Sequence, residues 1–200
     1  MFMRACVLYS GGKDSSLMAT ILKRLGLEVE LATANFGVYD SWIPAAESAE
    51  ALGFPHRILR LDQSILMEAA GKIIGDGFPN NGINFVHRQV LEAVARKYDI
   101  IADGTRRDDK TPKLTIDEIR SLEDRHSIEY INLTGFGYKT INRLASQLFI
   151  LKKEKSDIHN NSDYEIEIRY LIDKIKGKGK SSRFFPVHYQ TRVIGWKQEE

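Results

Sequence analysis

Short apolar runs alternate with longer amphipathic stretches along residues 1–150, and this alternation constrains the fold more than any other feature. Residues 1–9 read as a strand centred on Ala5, Cys6, Val7 and Leu8. A Ser-Gly-Gly turn leads to a helix over Ser15–Leu25, with Leu17, Ile21, Leu22 and Leu25 on one face and Gly26 at its end. Glu28–Thr33, Arg57–Leu61, Asp99–Ala102 and Glu129–Leu133 read as further strands. Ser41–Leu52 (with Pro44 in its first turn), Ser64–Ile74, Phe85–Lys97 and Lys139–Leu151 read as helices. Thr115 and Glu118 form a capping box that opens another helix, running to about His126. Gly75–Asn84 reads as a surface loop and Lys152–Asn161 as a polar linker. A second capping box, Ser162 with Glu165, opens a helix to Ile175, and Val187–Trp196 reads as a final strand or an extended arm. Alternation with short connections predicts an α/β fold, a mainly parallel sheet with helices on both faces. In such sheets ligands bind beyond the carboxyl ends of the strands, which directs attention to the loops after Tyr9, Thr33, Ala102 and Leu133.

Composition removes several classes. Cys6 is the single cysteine of the 200 residues, so neither an intramolecular disulfide framework nor a multi-cysteine metal site is expected. No apolar run has the length of a membrane span, and the N-terminus turns polar too soon for a signal peptide. A cytoplasmic location is the expectation. The net charge of +2 conceals an asymmetry: residues 1–150 carry 18 basic and 19 acidic side chains, residues 151–200 carry 11 and 8. Lys174–Lys197 holds seven Lys/Arg and no carboxylate, so attraction to polyanions belongs there.

The loop after the first strand, Ser10-Gly11-Gly12-Lys13-Asp14-Ser15-Ser16, has the makings of an anion site. Two glycines let backbone N–H groups approach a ligand, the following helix offers its positive end, and Ser10, Ser15, Ser16 and Lys13 add donors. Asp14 repels phosphate unless a cation intervenes, and Mg²⁺ supplies that reason. The spacing fits neither G-x-x-x-x-G-K-[ST] nor G-x-G-x-x-G.

Residues Ser10, Gly11, Gly12, Asp14 and Ser15 match S-G-G-x-D-S, and the chain thereby resembles the PP-loop (N-type) ATP pyrophosphatases of the adenine nucleotide alpha-hydrolase-like superfamily. The resemblance implies a Rossmann-like three-layer α/β/α fold, with residues 1–151 as the nucleotide-binding domain and 152–200 as a C-terminal helix and basic arm packed on it. It implies an enzyme that uses ATP and Mg²⁺, adenylylates a substrate oxygen and releases pyrophosphate. Gly104 and Thr105 resemble the second element of that site, with Asp108 and Asp109 as an acidic pair; Asp14, Asp108 and Asp109 are the implied metal ligands. Lys13, Asp14 and Arg106 or Arg107 are the implied catalytic residues, and Ala34, at the end of the second strand, meets the adenine. Phe78–Asn84 carries asparagines where tRNA-thiolating relatives carry a cysteine pair, and Cys6 reads as a core residue, so a two-cysteine persulfide route is not expected.

His87 reads as a general base or substrate contact against the plainer alternative of a structural histidine, with Arg88 beside it. Lys176, Lys178, Lys180 and Arg183, interleaved with Phe184, Phe185, His188, Tyr189 and Trp196, read either as an RNA-binding arm or as solvated lysines over packed aromatics; Phe184-Phe185-Pro186 has the look of an anchor. The candidate partners are ATP, tRNA or other RNA, a second copy of the chain, and a separate nitrogen or sulfur donor protein. The functional expectation is tRNA base modification. The alternatives are a C–N-forming ligase acting on a metabolite or protein residue, and a nucleotide-binding regulator without turnover.

Overall fold

The computed structural model describes residues 3–157, 159–186 and 188–198. In chain order the elements are β1 (Arg4–Leu8), α1 (Lys13–Arg24), β2 (Glu28–Asn35), α2 (Ile43–Leu52), β3 (His56–Arg60), α3 (Gln63–Asp76), α4 (Asn80–Ala95), β4 (Ile100–Arg106), α5 (Ile116–His126), β5 (Glu129–Leu133), α6 (Tyr138–Leu148), β6 (Phe149–Lys155), α7 (Tyr164–Lys176) and β7 (Tyr189–Trp196), with a 3₁₀ turn at Lys180–Arg183. The first five strands form one parallel sheet in the order β3-β2-β1-β4-β5. Period-two alternation sends Ala5 and Val7 to one face, where they meet Leu17 and Met18 of α1, Ala49 of α2 and Ile141 of α6. Cys6 and Leu8 face the other side, against α3, α4 and α7 through Leu66, Ile73, Val90 and Ile168. The result is the three-layer α/β/α arrangement. Cys6 is fully buried, and burial pushes its thiol up to about 12, which leaves it a core residue with no thiolate at neutral pH.

Each of the five parallel strands falls where the apolar runs place it, and β5 matches residue for residue. Strands β2 and β4 run further than their apolar cores. Asn35 pairs with Arg60, and β4 continues through Asp103-Gly104-Thr105 to pair Arg106 with Leu133 after a register shift. Pairing partners outweigh the weak strand preference of those residues.

Three expectations are corrected. Gly75–Asn84 is not a loop: α3 runs to Asp76, ends on Gly77 at φ 77°, and α4 starts at Asn80. Gly82 allows the two helices to touch, because a Cβ there would lie 2.4 Å from Ile73 Cγ1. Lys152–Asn161 is not a linker throughout, since β6 extends to Lys155 and pairs antiparallel with β7. The cap of α7 is Asp163, whose side chain accepts from the Glu165 N–H at 3.2 Å; Ser162 Oγ instead accepts from Ala45 N at 2.9 Å.

The antiparallel β6–β7 pair, whose strands are joined through α7, lies against the α1–α2 side of the molecule. Val193 N donates to Gly11 O at 2.9 Å and Trp196 Nε1 to Leu52 O at 3.1 Å. Residues 189–196 are thus a strand rather than a free arm; Val187, Met1 and Phe2, also assigned to strands by sequence, lie outside the described residues. Phe185 is buried, with Arg169 4.8 Å over its ring, so it is the anchor that Phe184-Phe185-Pro186 suggested. Among the described residues no helix is long and apolar enough to cross a membrane.

Candidate functional site

The sheet order reverses at β1, with β2 and β3 on one side and β4 and β5 on the other, which opens a crevice at the carboxyl ends of β1 and β4. Ser10–Ser15 fills that crevice. Gly11 sits at φ 75°, and a Cβ on it would come within 3.0 Å of Ser48 Oγ and 3.2 Å of Ala45 Cα. Gly12 precedes α1 in an extended conformation and bridges Arg192 of β7, and no side chain caps the N–H groups of the first turn, which face the crevice as an anion site requires. Gly104 brings β4 onto the same loop: a Cβ there would lie 2.6 Å from Ser15 N and 2.8 Å from Asp14 C. The two segments singled out in sequence are therefore one packed unit.

Two cavities flank this loop. One, of ≈ 170 Å³, is lined by Leu8, Ser10, Gly12, Asp14 and Ser15 from the loop side, Ala32 and Ala34 from β2, and Gly104, Thr105 and Asp109 from β4. The other, of ≈ 380 Å³, lies between Ser10–Asp14 and the β6–β7 pair, and takes in Arg106, Tyr138, Lys153, Asn160, Tyr189 and Arg192. Asp14 and Asp163 line both.

Charge in the crevice is arranged around Arg106. Its Nε and Nη2 bind Asp109, the latter at 2.5 Å, and its Nε lies 3.9 Å from Asp14 Oδ2. Burial works against the guanidinium, but Asp109, Asp14 and Asp108 hold it protonated more firmly than usual. Arg106 Nη1 is buried with no hydrogen-bond partner among the described residues, a donor left for an incoming anion. Lys13 Nζ stands 3.1 Å from Asp14 Oδ1. Both cations lie over the Tyr138 ring, at 5.5 Å and 5.3 Å.

A buried polar cluster of His87, Asp103 and Tyr164 lines the first cavity. His87 Nδ1 is 2.7 Å from the Tyr164 hydroxyl, and His87 Nε2 is 3.0 Å from Asp103 Oδ2 at ion-pair distance without hydrogen-bond alignment. Tyr130 donates to the same Asp103 oxygen at 2.6 Å, and Thr105 N donates to Oδ1 at 2.8 Å. Burial alone would raise the Asp103 carboxyl; His87, Tyr130 and Thr105 N together hold it below the usual range. Burial, joined by the Asp163 charge, pushes the Tyr164 hydroxyl well up, and Tyr164 is neutral at any ordinary pH.

Other sequence candidates fall elsewhere. Ser16 is fully buried, with its hydroxyl 3.0 Å from Tyr9 OH, and lines neither cavity. Asp108 accepts from Tyr138 N at 2.9 Å and so caps α6, while Arg107 lies over Gly137; neither lines the cavities. Among the described residues no group of three or more His, Cys, Asp and Glu side chains is placed to hold a metal ion. Arg88 pairs with Glu118 at 2.6 Å, facing a different groove. Lys176, Lys178, Lys180 and Arg183 are exposed around the far end of α7, roughly 18 Å along its axis from Tyr164. Asp103, Asp163, Tyr164, Tyr138 and Arg192 were not legible as site residues, and Tyr189 was legible only as an aromatic of the basic arm. Asp103 adjoins Gly104 in sequence, but the others reach the crevice only through long-range packing.

Fold and crevice define a parallel α/β protein with a glycine-rich loop at its switch point. Residues 3–195 match the model of a family of unknown function, DUF7411, and the chain belongs to that family. It is 52% identical over 195 residues, 96% of each chain, to the uncharacterized protein MJ0690 of Methanocaldococcus jannaschii. A solved structure described as a predicted subunit of tRNA methyltransferase from the same organism superposes with a TM-score of 0.91 at 50% identity, covering 100% of both chains. The U34-tRNA thiolase NcsA of Methanococcus maripaludis, with its [4Fe-4S] cluster, gives a TM-score of 0.39 at 16% identity over 72% of this chain and 64% of its own.

Proposed function

We propose that the chain is a PP-loop ATP pyrophosphatase that adenylylates an oxygen of a tRNA base. The observation that carries this reading is the loop itself: an uncapped helix start behind Gly11-Gly12, locked at the switch point by Gly104. The triphosphate would lie along the N–H groups at the start of α1, with the nucleoside in the cavity under Ala32 and Ala34. Mg²⁺ is commonly held by one or two carboxylates plus substrate phosphates, and Asp14 fits that role better than Asp109, whose two oxygens are both taken by Arg106. The metal would supply charge neutralisation of the phosphates. The acceptor oxygen attacks the α-phosphorus, the α–β anhydride bond breaks, and pyrophosphate leaves with the bonding pair. Arg106 Nη1 and Lys13 are placed to take up the growing negative charge. A nucleophile then displaces AMP from the activated base. The tRNA assignment leans on the M. jannaschii structure described as a predicted tRNA methyltransferase subunit.

Incubation with α-labelled ATP, Mg²⁺ and bulk tRNA tests the reading. Labelled AMP with pyrophosphate is expected, and Asp14→Ala should lower turnover at least ~100-fold while leaving the melting temperature within a few degrees. ADP as the product, or no turnover with any tRNA, would overturn it. AMP formed with a small carboxylate or amine but not with tRNA would mark a metabolite ligase.

A further inference from the structure

We propose that the cleft between the phosphate loop and β7 receives one unpaired RNA base together with its own phosphate. This takes its purpose from the adenylylation reading, but it stands on different residues. The cleft shares Ser10, Gly12, Asp14 and Asp163 with the nucleotide cavity, so a group held here lies beside the triphosphate loop. Tyr138 and Tyr189 line it with half or more of their surface exposed, 52% and 66%, among polar neighbours. Exposed tyrosine faces suit stacking by a planar base, whichever base it is.

The charge inventory restricts the ligand further. Lys13 is paired with Asp14, Arg106 with Asp109, and Arg192 with Glu47 at 2.6 Å. Lys153 pairs with no carboxylate among the described residues, and its Nζ lies 5.6 Å over the Tyr189 ring. One cation with no carboxylate partner, beside a stacking face, matches a single phosphodiester next to a base, and it is poor provision for a polyanionic metabolite. Gln190 Nε2 donates to Asn160 Oδ1 at 2.7 Å, which gives the cleft a fixed amide edge suited to the polar rim of a base.

The experiment uses the full chain and a short single-stranded oligoribonucleotide containing 4-thiouridine. Fluorescence anisotropy gives affinity, and irradiation followed by peptide mapping gives the point of contact. Tyr189→Ala should weaken binding about 10-fold, Tyr189→Phe should stay within about 2-fold because the stacking face survives, and the crosslink should fall on Tyr189 or Tyr138. Lys153→Ala should lower the slope of log affinity against log salt by about 0.7. ATP affinity is measured for each variant, and Tyr138→Ala is scored only if it keeps ATP affinity, since its ring lies under Lys13 and Arg106. Unchanged affinity in Tyr189→Ala with crosslinks confined to Lys176–Arg183 would overturn the cleft assignment and leave an RNA-binding enzyme. No oligonucleotide or tRNA binding at low salt, with AMP still formed from ATP, would overturn the RNA ligand alone. Stacking at Tyr189 without any AMP formation would uphold the cleft and remove the adenylylation reading.

Discussion

At the scale of single residues, the site depends on atoms that have no room to move. Gly104→Ala places a methyl 2.6 Å from Ser15 N, and backbone on both sides must shift. It should cost about 1–3 kcal/mol of stability and reduce ATP affinity more than 10-fold, measured by thermal unfolding and calorimetric titration. Glu167 is fully buried, and its carboxylate accepts from Phe36 N at 3.1 Å and Val38 N at 3.2 Å, holding the loop after β2. Burial raises its carboxyl and those two N–H groups oppose the rise. Glu167→Ala strands both donors and should destabilise by about 2–4 kcal/mol in chemical denaturation. Asp163 is shifted from 3.8 to about 6, through burial first and the Glu165 charge second. Its contribution is full below pH 3.8 and is lost as pH rises through about 6. A shift of that size is worth at most about 3 kcal/mol, and less here because the side chain is only partly buried. Asp163→Asn keeps an oxygen for the Glu165 N–H, so a melting temperature that no longer falls over that window is the expected result; an unchanged pH profile would contradict it.

At the scale of elements, local chemistry and distant pairing can be told apart by mutation. The Thr115 box was read from four residues and is present in full: Glu118 N donates to Thr115 Oγ1 at 3.2 Å and Thr115 N to Glu118 Oε2 at 2.8 Å. Thr115→Ala should cost about 1 kcal/mol and leave ATP affinity unchanged, because α5 lines neither cavity beside the loop. Val193 shows the opposite behaviour. Its side chain is buried and seats the backbone whose N–H holds Gly11 O; Val193→Ala keeps that N–H but loosens its seat, and should both destabilise by about 1–3 kcal/mol and weaken ATP binding. The Thr115 cap was legible because its partners are three residues apart. The role of β7 was not, because Gly11 and Val193 meet only across the whole chain. The same reason explains α7, whose cap moved from Ser162 to Asp163: Ser162 is drawn away by Ala45 of α2.

At the scale of the molecule, the basic run and the crevice occupy opposite ends of α7. If both serve one RNA, replacing Lys176, Lys178, Lys180 and Arg183 with alanine should flatten the salt dependence of tRNA binding by up to about four phosphate contacts, while ATP affinity stays as it was. Equal slopes for the variant and the parent would show that the run takes no part. The sequence by itself determined the parallel α/β class and the glycine loop after β1, since these rest on apolar periodicity and on glycines at a strand end, whereas the seat of Gly104 against that loop was implied only by the family resemblance and is made by packing. Tertiary structure alone decided which polar residues share the crevice. Arg106 rather than Arg107, Asp103 with His87 and Tyr164, and Tyr189 across from the phosphate loop are choices of strand direction, register and docking of the β6–β7 pair, and such choices are made by contacts between residues far apart in the chain. Local sequence carries no trace of them, because the energy that selects them appears only once the layers have packed.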